Sequence, residues 1–486
     1  MLRRFVRRHR WLIGAVVLVL VGVAAALIRS AIQTRPIYDL NLRSRPHLPP
    51  APAPKPGEKV LIFAPHEDDE TLGCGGCIQQ AVRAGAKVKV VLMTNGEYPE
   101  IDVVLYEETL RPRPAAFVRL GYMRQQETLR AMRYLGVPSG AVTFLGYPNG
   151  YLDRMWSPAH WLPENPVRSV RTRAMRSPYR NSMTPGAIYC GQSLLRDVET
   201  VLRRDGPDIV ITPHPNDIHV DHWPTYAFVR FALAELATQK EDFAANCRVY
   251  TYLVHRDAWP APRGYHPELE LVPPAGLLAA RQTDWRALWL TRGQIARKHK
   301  AIAFYRTQAG GFDRLLLSFA RRDDLFGLLP AHTWPAAPAV PNRLVVTDPT
   351  ADLIAARRNP DADIGFVSLA RQLDRMTVTV TTREDASDDT GYHVSVHSGG
   401  ASAGERVIAQ YNWREIEATG SILRAGVLRR MPPQSLKARI NGKRAILEAP
   451  WPVPNHASFL LIRAWTTKGS RLIDQTAATG LTIERR

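Results

Sequence analysis

His66, Asp68, Asp69 and Glu70 lie in the run Leu61-Ile62-Phe63-Ala64-Pro65-His66-Glu67-Asp68-Asp69-Glu70-Thr71-Leu72-Gly73, where an apolar stretch gives way abruptly to an imidazole and carboxylates. An imidazole and a carboxylate three residues apart can share one divalent ion, with a second carboxylate left over to handle protons. The same acidic pair has a plainer use, because Asp and Glu at the start of a helix face its positive end. A distant cluster weighs against that use. Pro213-His214-Pro215-Asn216-Asp217-Ile218-His219-Val220-Asp221-His222 follows the apolar run from Asp208 to Thr212 and packs three histidines and two aspartates into nine residues. Two strands that each end in His and Asp, about 150 residues apart, are read as two halves of one site at the same edge of a sheet.

His66-Glu67-Asp68-Asp69-Glu70 resembles the His-Pro-Asp-Asp-Glu signature of the PIG-L/LmbE-like zinc deacetylases, and His219-Val220-Asp221-His222 resembles their second motif. Smaller likenesses are Arg124-Gln125-Gln126-Glu127, at the opening of a helix, and the stretch from Lys298 to Gln308 with Tyr305 near its end. The resemblance covers roughly residues 58 to 330. It implies an α/β fold with a Rossmann-like, mostly parallel sheet, and hydrolysis of an N-acetylated amino sugar carried on a larger molecule. It assigns His66, Asp69 and His222 to the metal; two histidines and one carboxylate with a vacant position form a hydrolytic zinc arrangement, and Fe2+ fits the same ligands. Asp68 would then transfer protons. His219 would stabilise the oxyanion, with Asp221 or Asp217 orienting it. Arg124, Asn149 and Trp156 are the expected substrate contacts, although Trp156 reads equally as core. Glu67 stands where the family usually has proline or alanine, and Asn149 where many members have aspartate. His214 receives no role and is read as structural.

The elements that must position these groups are legible from periodicity. Lys59 to Ala64 reads as strand, Leu72 to Ala84 as helix and Val88 to Thr94 as strand, a β-α-β unit that implies a parallel sheet. The strand at 208–212 precedes a helix from Thr225 to Leu236. Residues 150–190 are irregular, with Trp156, Trp161, Tyr179 and the arginines Arg168, Arg171, Arg173, Arg176 and Arg180. These arginines either grip acidic groups or form a solvated basic face. After a Pro-rich linker at 331–342 the period changes to two, in Met376 to Thr381, Tyr392 to Val396, Val407 to Tyr411 and Phe459 to Trp465. That pattern predicts a β-sandwich over 343–486. Asp348-Pro349, Ala362-Asp363-Ile364 and Asp474 faintly resemble DOMON-type carbohydrate-binding domains; a packing-only domain accounts for them equally well.

The 486 residues exceed one ordinary core, and 45% apolar content with 22% charge is that of a folded protein. A net charge of +19 favours anionic partners, but no zinc finger, RRM-like aromatic pattern or basic helix points to nucleic acid. Four cysteines are too few for a disulfide framework, and Cys74-Gly75-Gly76-Cys77 reads as close packing rather than a redox pair. Residues 1–30 comprise a basic tail (Arg3, Arg4, Arg7, Arg8, Arg10) and Trp11 to Ile28, 18 residues without a charge. They are expected to form a single-pass membrane anchor rather than a cleaved signal peptide. A Pro-rich spacer at 31–57 follows, and residues 58–330 are expected on the external or periplasmic side of the cell membrane. The expected substrate is then an envelope glycolipid or polysaccharide. The alternative is a non-catalytic, metal-dependent carbohydrate-binding protein, which would need no spare carboxylate such as Asp68. Nothing in the sequence sets the oligomeric state.

Overall fold

The computed structural model describes residues 48–97, 112–309, 314–350, 352–400 and 406–484. Strand β1 (Lys59–Ala64) leads into helix α1 (Asp69–Ala84) and β2 (Lys87–Thr94), as the period of the sequence predicts. Then come α2 (Pro114–Leu135), β3 (Val142–Tyr147), α3 (Gly191–Asp205), β4 (Ile209–Pro213), α4 (His222–Thr238), β5 (Arg248–Tyr252), β6 (Asp284–Trp289), α5 (Arg292–Ile302) and β7 (Asp323–Leu328). The seven strands form one sheet in the order β3-β2-β1-β4-β5-β7-β6. The first five are parallel, and β7 and β6 close one edge as an antiparallel pair.

Strand β1 shows why the sheet is covered on both faces. Its side chains alternate, so Val60, Ile62 and Ala64 enter one apolar cluster with α1, while Leu61 and Phe63 enter another with α3 and α4. The chain leaves β1 toward β2 and β3 on one side, and returns on the other side through β4. The crevice between the C-terminal ends of β1 and β4 is therefore the topological switch point, where such sheets bind ligands.

The C-terminal region is β-rich. It comprises β8 (His332–Pro335), β9 (Ala339–Thr347), β10 (Ile364–Gln372), β11 (Arg375–Thr382), β12 (Thr390–Gly399), β13 (Val407–Arg414), β14 (Glu417–Arg424), β15 (Val427–Arg430), β16 (Lys437–Asn441), β17 (Arg444–Pro450), β18 (Phe459–Lys468), β19 (Arg471–Gln475) and β20 (Thr479–Glu484). They make a sheet of order β16-β17-β11-β10-β9 and another of order β15-β14-β13-β12-β18-β20-β8, with β19 paired to β18. Both contribute to one apolar cluster that includes Val378, Val380, Leu447, Val394, Tyr411 and Ile462. The stretch 331–342, expected as a linker, instead supplies β8, which runs parallel to β20, and the start of β9.

Two N-terminal expectations change. Residues Trp11 to Ile28 and most of the Pro-rich stretch lie outside the described residues. Among the described residues no helix is long and apolar enough to cross a membrane. On that finding the expected single-pass placement in the cell membrane, with its external body, is withdrawn. The end of the Pro-rich stretch is also no free spacer: Ala51 N–H donates to the Ala287 carbonyl (2.9 Å), and Ala287 N–H to the Pro49 carbonyl (3.1 Å), on edge strand β6.

Candidate active site

The turn after β1 is built by hydrogen bonds that hold an unusual backbone. Asp68, just before α1, has φ 131° and ψ −33°, a region that residues with a side chain rarely occupy, at a cost of about 1–3 kcal/mol. Its carbonyl accepts from Thr71 and Leu72 N–H, both at 2.8 Å, and its N–H donates to Glu70 Oε2 at 3.2 Å. Glu70 is in turn fixed by the Tyr305 hydroxyl, which also lies 2.7 Å from Thr71 Oγ1. This is what the Lys298 to Gln308 stretch contributes, together with Gln308, whose amide donates to the Glu67 carbonyl.

His66, Asp69 and His222 converge from β1 and β4. His66 Nδ1 lies 3.2 Å from Asp69 Oδ2, Asp69 Oδ2 lies 3.2 Å from His222 Nε2, and the two ring nitrogens are 3.3 Å apart. Three lone-pair atoms thus face one point. A tetrahedral ion with bonds of about 2.0–2.1 Å has edges of about 3.3 Å, so the donor triangle fits a zinc-sized cation. A second carboxylate stands behind each imidazole: His66 Nε2 bonds Asp221 Oδ2 at 2.9 Å, and Asp217 Oδ2 lies 3.1 Å from His222 Nδ1 as a close ion pair. Such partners fix the tautomer and ring orientation of a ligating histidine.

Both outer carboxylates are themselves anchored. Asp221 accepts from Gly150 N–H (2.6 Å) and Leu152 N–H (3.0 Å). Asp217 accepts from the N–H groups of His219 (3.0 Å), Val254 (3.0 Å) and His255 (2.9 Å). Burial works against the charged form of each, yet His222 beside Asp217 and His66 beside Asp221 hold both below the usual carboxylate range. The expectation that Asp221 or Asp217 orients the His219 ring is therefore corrected. The Asp221 carboxylate faces His66, and that of Asp217 faces His222. Asp217 reaches His219 only at the His219 backbone N–H, and the His219 ring accepts at Nδ1 from the backbone N–H of Asp221 (3.1 Å). An Nδ1 that accepts leaves the proton on Nε2, so His219 presents an N–H donor. Its ring stands edge-on to His66 with centroids 4.6 Å apart, and burial keeps it neutral by driving its pKa well down.

His255 is a member of the site that the sequence did not single out. It follows β5, next to β4 in the sheet, and its ring lies 4.7 Å from that of His222. Ligand-capable atoms of Asp69, His222 and His255 fall within 4.8 Å of one another, as do those of His66, His219 and His222. His214, read as structural, is so placed: it stacks on Trp285 (4.9 Å, 15°) and bonds Thr283 Oγ1 at 3.0 Å.

Of the expected substrate contacts, Arg124 and Asn149 lie near the site. Arg124 is buried, donates to the Gly96 carbonyl and sits in the field of Glu67 and Glu97. Asn149 contributes its backbone N–H to Glu97 Oε2 at 3.3 Å, and Glu97 also accepts from the Tyr179 hydroxyl at 2.9 Å. Gly96, at φ 61°, passes between Glu67 and Arg124, and an added Cβ would lie 2.5 Å from Glu67 Oε2. Glu67 is fully buried, and neither carboxylate oxygen has a hydrogen-bond partner among the described residues. Trp156 is not at the site. It is buried, stacks on His397 of β12 (4.0 Å, 7°) and meets Phe228 edge-on at 4.8 Å. Trp161 is buried beside it. Cys74 and Cys77 are buried and unpaired, with burial pushing both thiols up, as a packing role requires.

Comparison with known proteins places these motifs. Residues 61–233 match the PIG-L family, described as GlcNAc-PI de-N-acetylase. A 1D-myo-inositol 2-acetamido-2-deoxy-alpha-D-glucopyranoside deacetylase of Corynebacterium urealyticum is 26% identical over 191 residues, 39% of this chain and 51% of that protein. The protein of the same description from Mycobacterium sp. strain KMS is 38% identical over 95 residues, 20% of this chain and 29% of its own. The chain thus spans about half the length of the first relative and less of the second. Among solved structures, the N,N'-diacetylchitobiose deacetylase of Pyrococcus horikoshii aligns over 52% of this chain and 70% of its own at 20% identity, with a TM-score of 0.30. Both strand-end clusters fall inside the matched segment, and residues 61–233 of this chain are a PIG-L family domain.

Proposed function

We propose that this chain is a metal-dependent amide hydrolase that removes the acetyl group from an N-acetylated amino sugar, with His66, Asp69 and His222 holding zinc. The observation that carries the reading is the donor triangle with 3.2–3.3 Å edges at the switch point, backed by a carboxylate behind each imidazole. Bound zinc supplies a Lewis acid that makes water acidic near neutral pH and polarises a carbonyl. Asp68 lies beside ligand Asp69 on a backbone held out of the ordinary helical conformation; it takes the proton of the attacking water and returns it to the leaving amine. His219 donates its Nε2–H to the oxygen on which charge develops. Atoms balance as water plus amide giving acetate and amine.

The relatives' substrate, by their names, is a 2-acetamido sugar on inositol. For this chain we propose the same sugar class on a larger carrier, with Arg124 and Asn149 near the sugar. The test is metal analysis of the purified protein together with acetate release from N-acetylglucosaminides that differ in aglycone. Near-stoichiometric zinc, and acetate release that a chelator abolishes and added zinc restores, are expected. Fully loaded protein that releases no acetate from any of them would overturn the reading.

A further inference from the structure

A second group of carboxylates lies between the two halves of the molecule, far in sequence from the zinc motifs. Asp348 directly follows β9, Asp352 lies in the connection to the short helix Ile354–Arg358, and Asp474 is in β19. One oxygen from each lies within 4.8 Å of the others. Asp348 is only 3% exposed, and both of its carboxylate oxygens lack a hydrogen-bond partner among the described residues. A buried carboxylate without a hydrogen bond is costly, and interiors normally supply one or a directly paired charge.

The neighbouring cations make their direct contacts with other groups than Asp348. Arg383 Nε bonds Asp363, the fourth carboxylate of this region, at 2.6 Å. Arg463 lies over the faces of Trp223 (3.8 Å) and Trp465 (5.0 Å) and bonds Gln475. Arg256 pairs with Asp352. Only Arg256 pairs directly with one of the three carboxylates, and with the charge of Arg463 acting on Asp348 the group still carries net negative charge for a cation to offset. Asp474 is oriented for this: its oxygens accept from the N–H groups of Ile364 (2.7 Å) and Gln475 (2.9 Å), which fixes the carboxylate and leaves lone pairs free.

From this arrangement we propose that Asp348, Asp352 and Asp474 bind one calcium ion. The donors are all carboxylate oxygens, the choice of a hard cation, whereas the imidazoles of the first site suit zinc. Calcium accepts irregular and bidentate carboxylate geometry; magnesium demands a near-octahedral shell and keeps its waters, which this buried place does not favour. The ion also has a structural consequence. Arg256 donates to the Asn216 carbonyl, one residue before Asp217, and adjoins His255, whose N–H holds Asp217. Calcium bound to Asp352 therefore secures the β-rich region against the loop that orients His222.

The experiment uses the full chain, stripped of divalent ions, reloaded with zinc and titrated with calcium chloride by calorimetry and thermal melting. One saturable equivalent is expected, half-saturated at or below about 1 mM, the weak end of protein calcium sites. The melting temperature should rise with it, and magnesium should give a smaller shift. Asp348→Asn should lose both the heat and the shift while its zinc content stays at the wild-type level. If that variant fails to fold, the wild-type titration still decides. No heat and no shift at about 10 mM calcium, or a full calcium response in folded Asp348→Asn, overturns the proposal.

Discussion

Asp68 and Asp69 are adjacent in sequence and opposite in electrostatics. Burial opposes ionisation of both, but His222 and His66 hold Asp69 well below the usual range, while Asp68, beside Asp69 and Glu70, is pushed well above it. A divalent cation in the triangle shifts that local balance toward the ionised forms. Their proposed roles separate in one comparison of metal stoichiometry with rate. Asp68→Asn should keep its metal and lose rate by about 10²–10⁴-fold, the usual worth of a positioned proton carrier. Asp69→Asn and His222→Ala should lose metal and rate together. Metal lost from Asp68→Asn but retained with activity in Asp69→Asn would mean that the two carboxylates have been assigned the wrong way round. Asp217 supports a different prediction, because its carboxylate lies 3.1 Å from His222 Nδ1. Asp217→Asn should weaken zinc binding by about 10–100-fold, measured by competition with a chromophoric chelator; unchanged affinity would remove Asp217 from that task. The triangle itself was readable because His66, Asp69 and His222 sit in short motifs. Which carboxylate faces which ring was not readable, since spacing along a loop does not say where a side chain turns. His255 carries no motif; its only signal is its place just after a strand that neighbours β4. Trp156 misled because its stacking partner, His397, belongs to a strand more than two hundred residues later.

At the scale of elements, the site depends on how closely α1 approaches the sheet. The helix begins at Asp69, three residues before the expected start, because the polar pair Asp69-Glu70 occupies its first turn and hides that turn's helical period. Its small residues do what the sequence suggested. A Cβ on Gly73 would lie 2.4 Å from the Tyr252 ring, and one on Gly76 would lie 2.3 Å from Leu290. Cys77 N–H donates to Asp324 Oδ2 at 2.8 Å, and Asp324 Oδ1 pairs with the fully buried Lys298 at 2.6 Å. These contacts pin the helix whose first residue is Asp69. Tyr252 cannot simply step aside, because its hydroxyl bonds the Phe63 carbonyl at 3.0 Å on the strand that delivers His66. Gly73→Ala should therefore cost about 1–3 kcal/mol, as overpacking does, seen as a lower urea midpoint. It should also reduce zinc affinity, because α1 moves with Asp69 aboard. An unchanged midpoint would show that the ring yields freely. The β-α-β unit was legible because its periods are long and clean. The strands at 332–347 were not, since Pro335, Pro338 and Pro341 imitate a linker, whereas edge and terminal positions in a sheet tolerate proline.

In the whole molecule, the zinc motifs and the C-terminal sheets share a core. Ile408, Leu423, Phe459 and Leu461 belong to the same apolar cluster as Trp156, Phe228 and Phe231, beneath α4. Arg406 bridges the seam with Nη2 at 2.5 Å from Glu235 and 2.8 Å from Glu199, and Thr238 Oγ1 lies 2.8 Å from Ser458 Oγ. The expected linker at 331–342, with every recognisable catalytic group before it, would make residues 343–486 a separable unit. The packing argues otherwise. A chain ending near Pro338 would expose the apolar surface around Phe228 and Phe231 and leave Glu235 buried without its cation. That truncated chain is expected to self-associate and to lose a cooperative urea transition, whatever its fate on a small N-acetylated sugar. Arg406→Ala tests the polar part of the seam in the intact chain. Removing one partner of a largely buried pair costs about 3 kcal/mol or more, and Arg406→Lys should recover only part of that, since a point charge replaces a two-pronged donor. Zinc content measured without denaturant should stay at the wild-type level in both variants, because Arg406 touches neither the triangle nor its outer carboxylates. A truncated chain that elutes as a monomer and unfolds at the full-length midpoint would show that α4 does not depend on the β-rich region, and would restore the reading of two independent units.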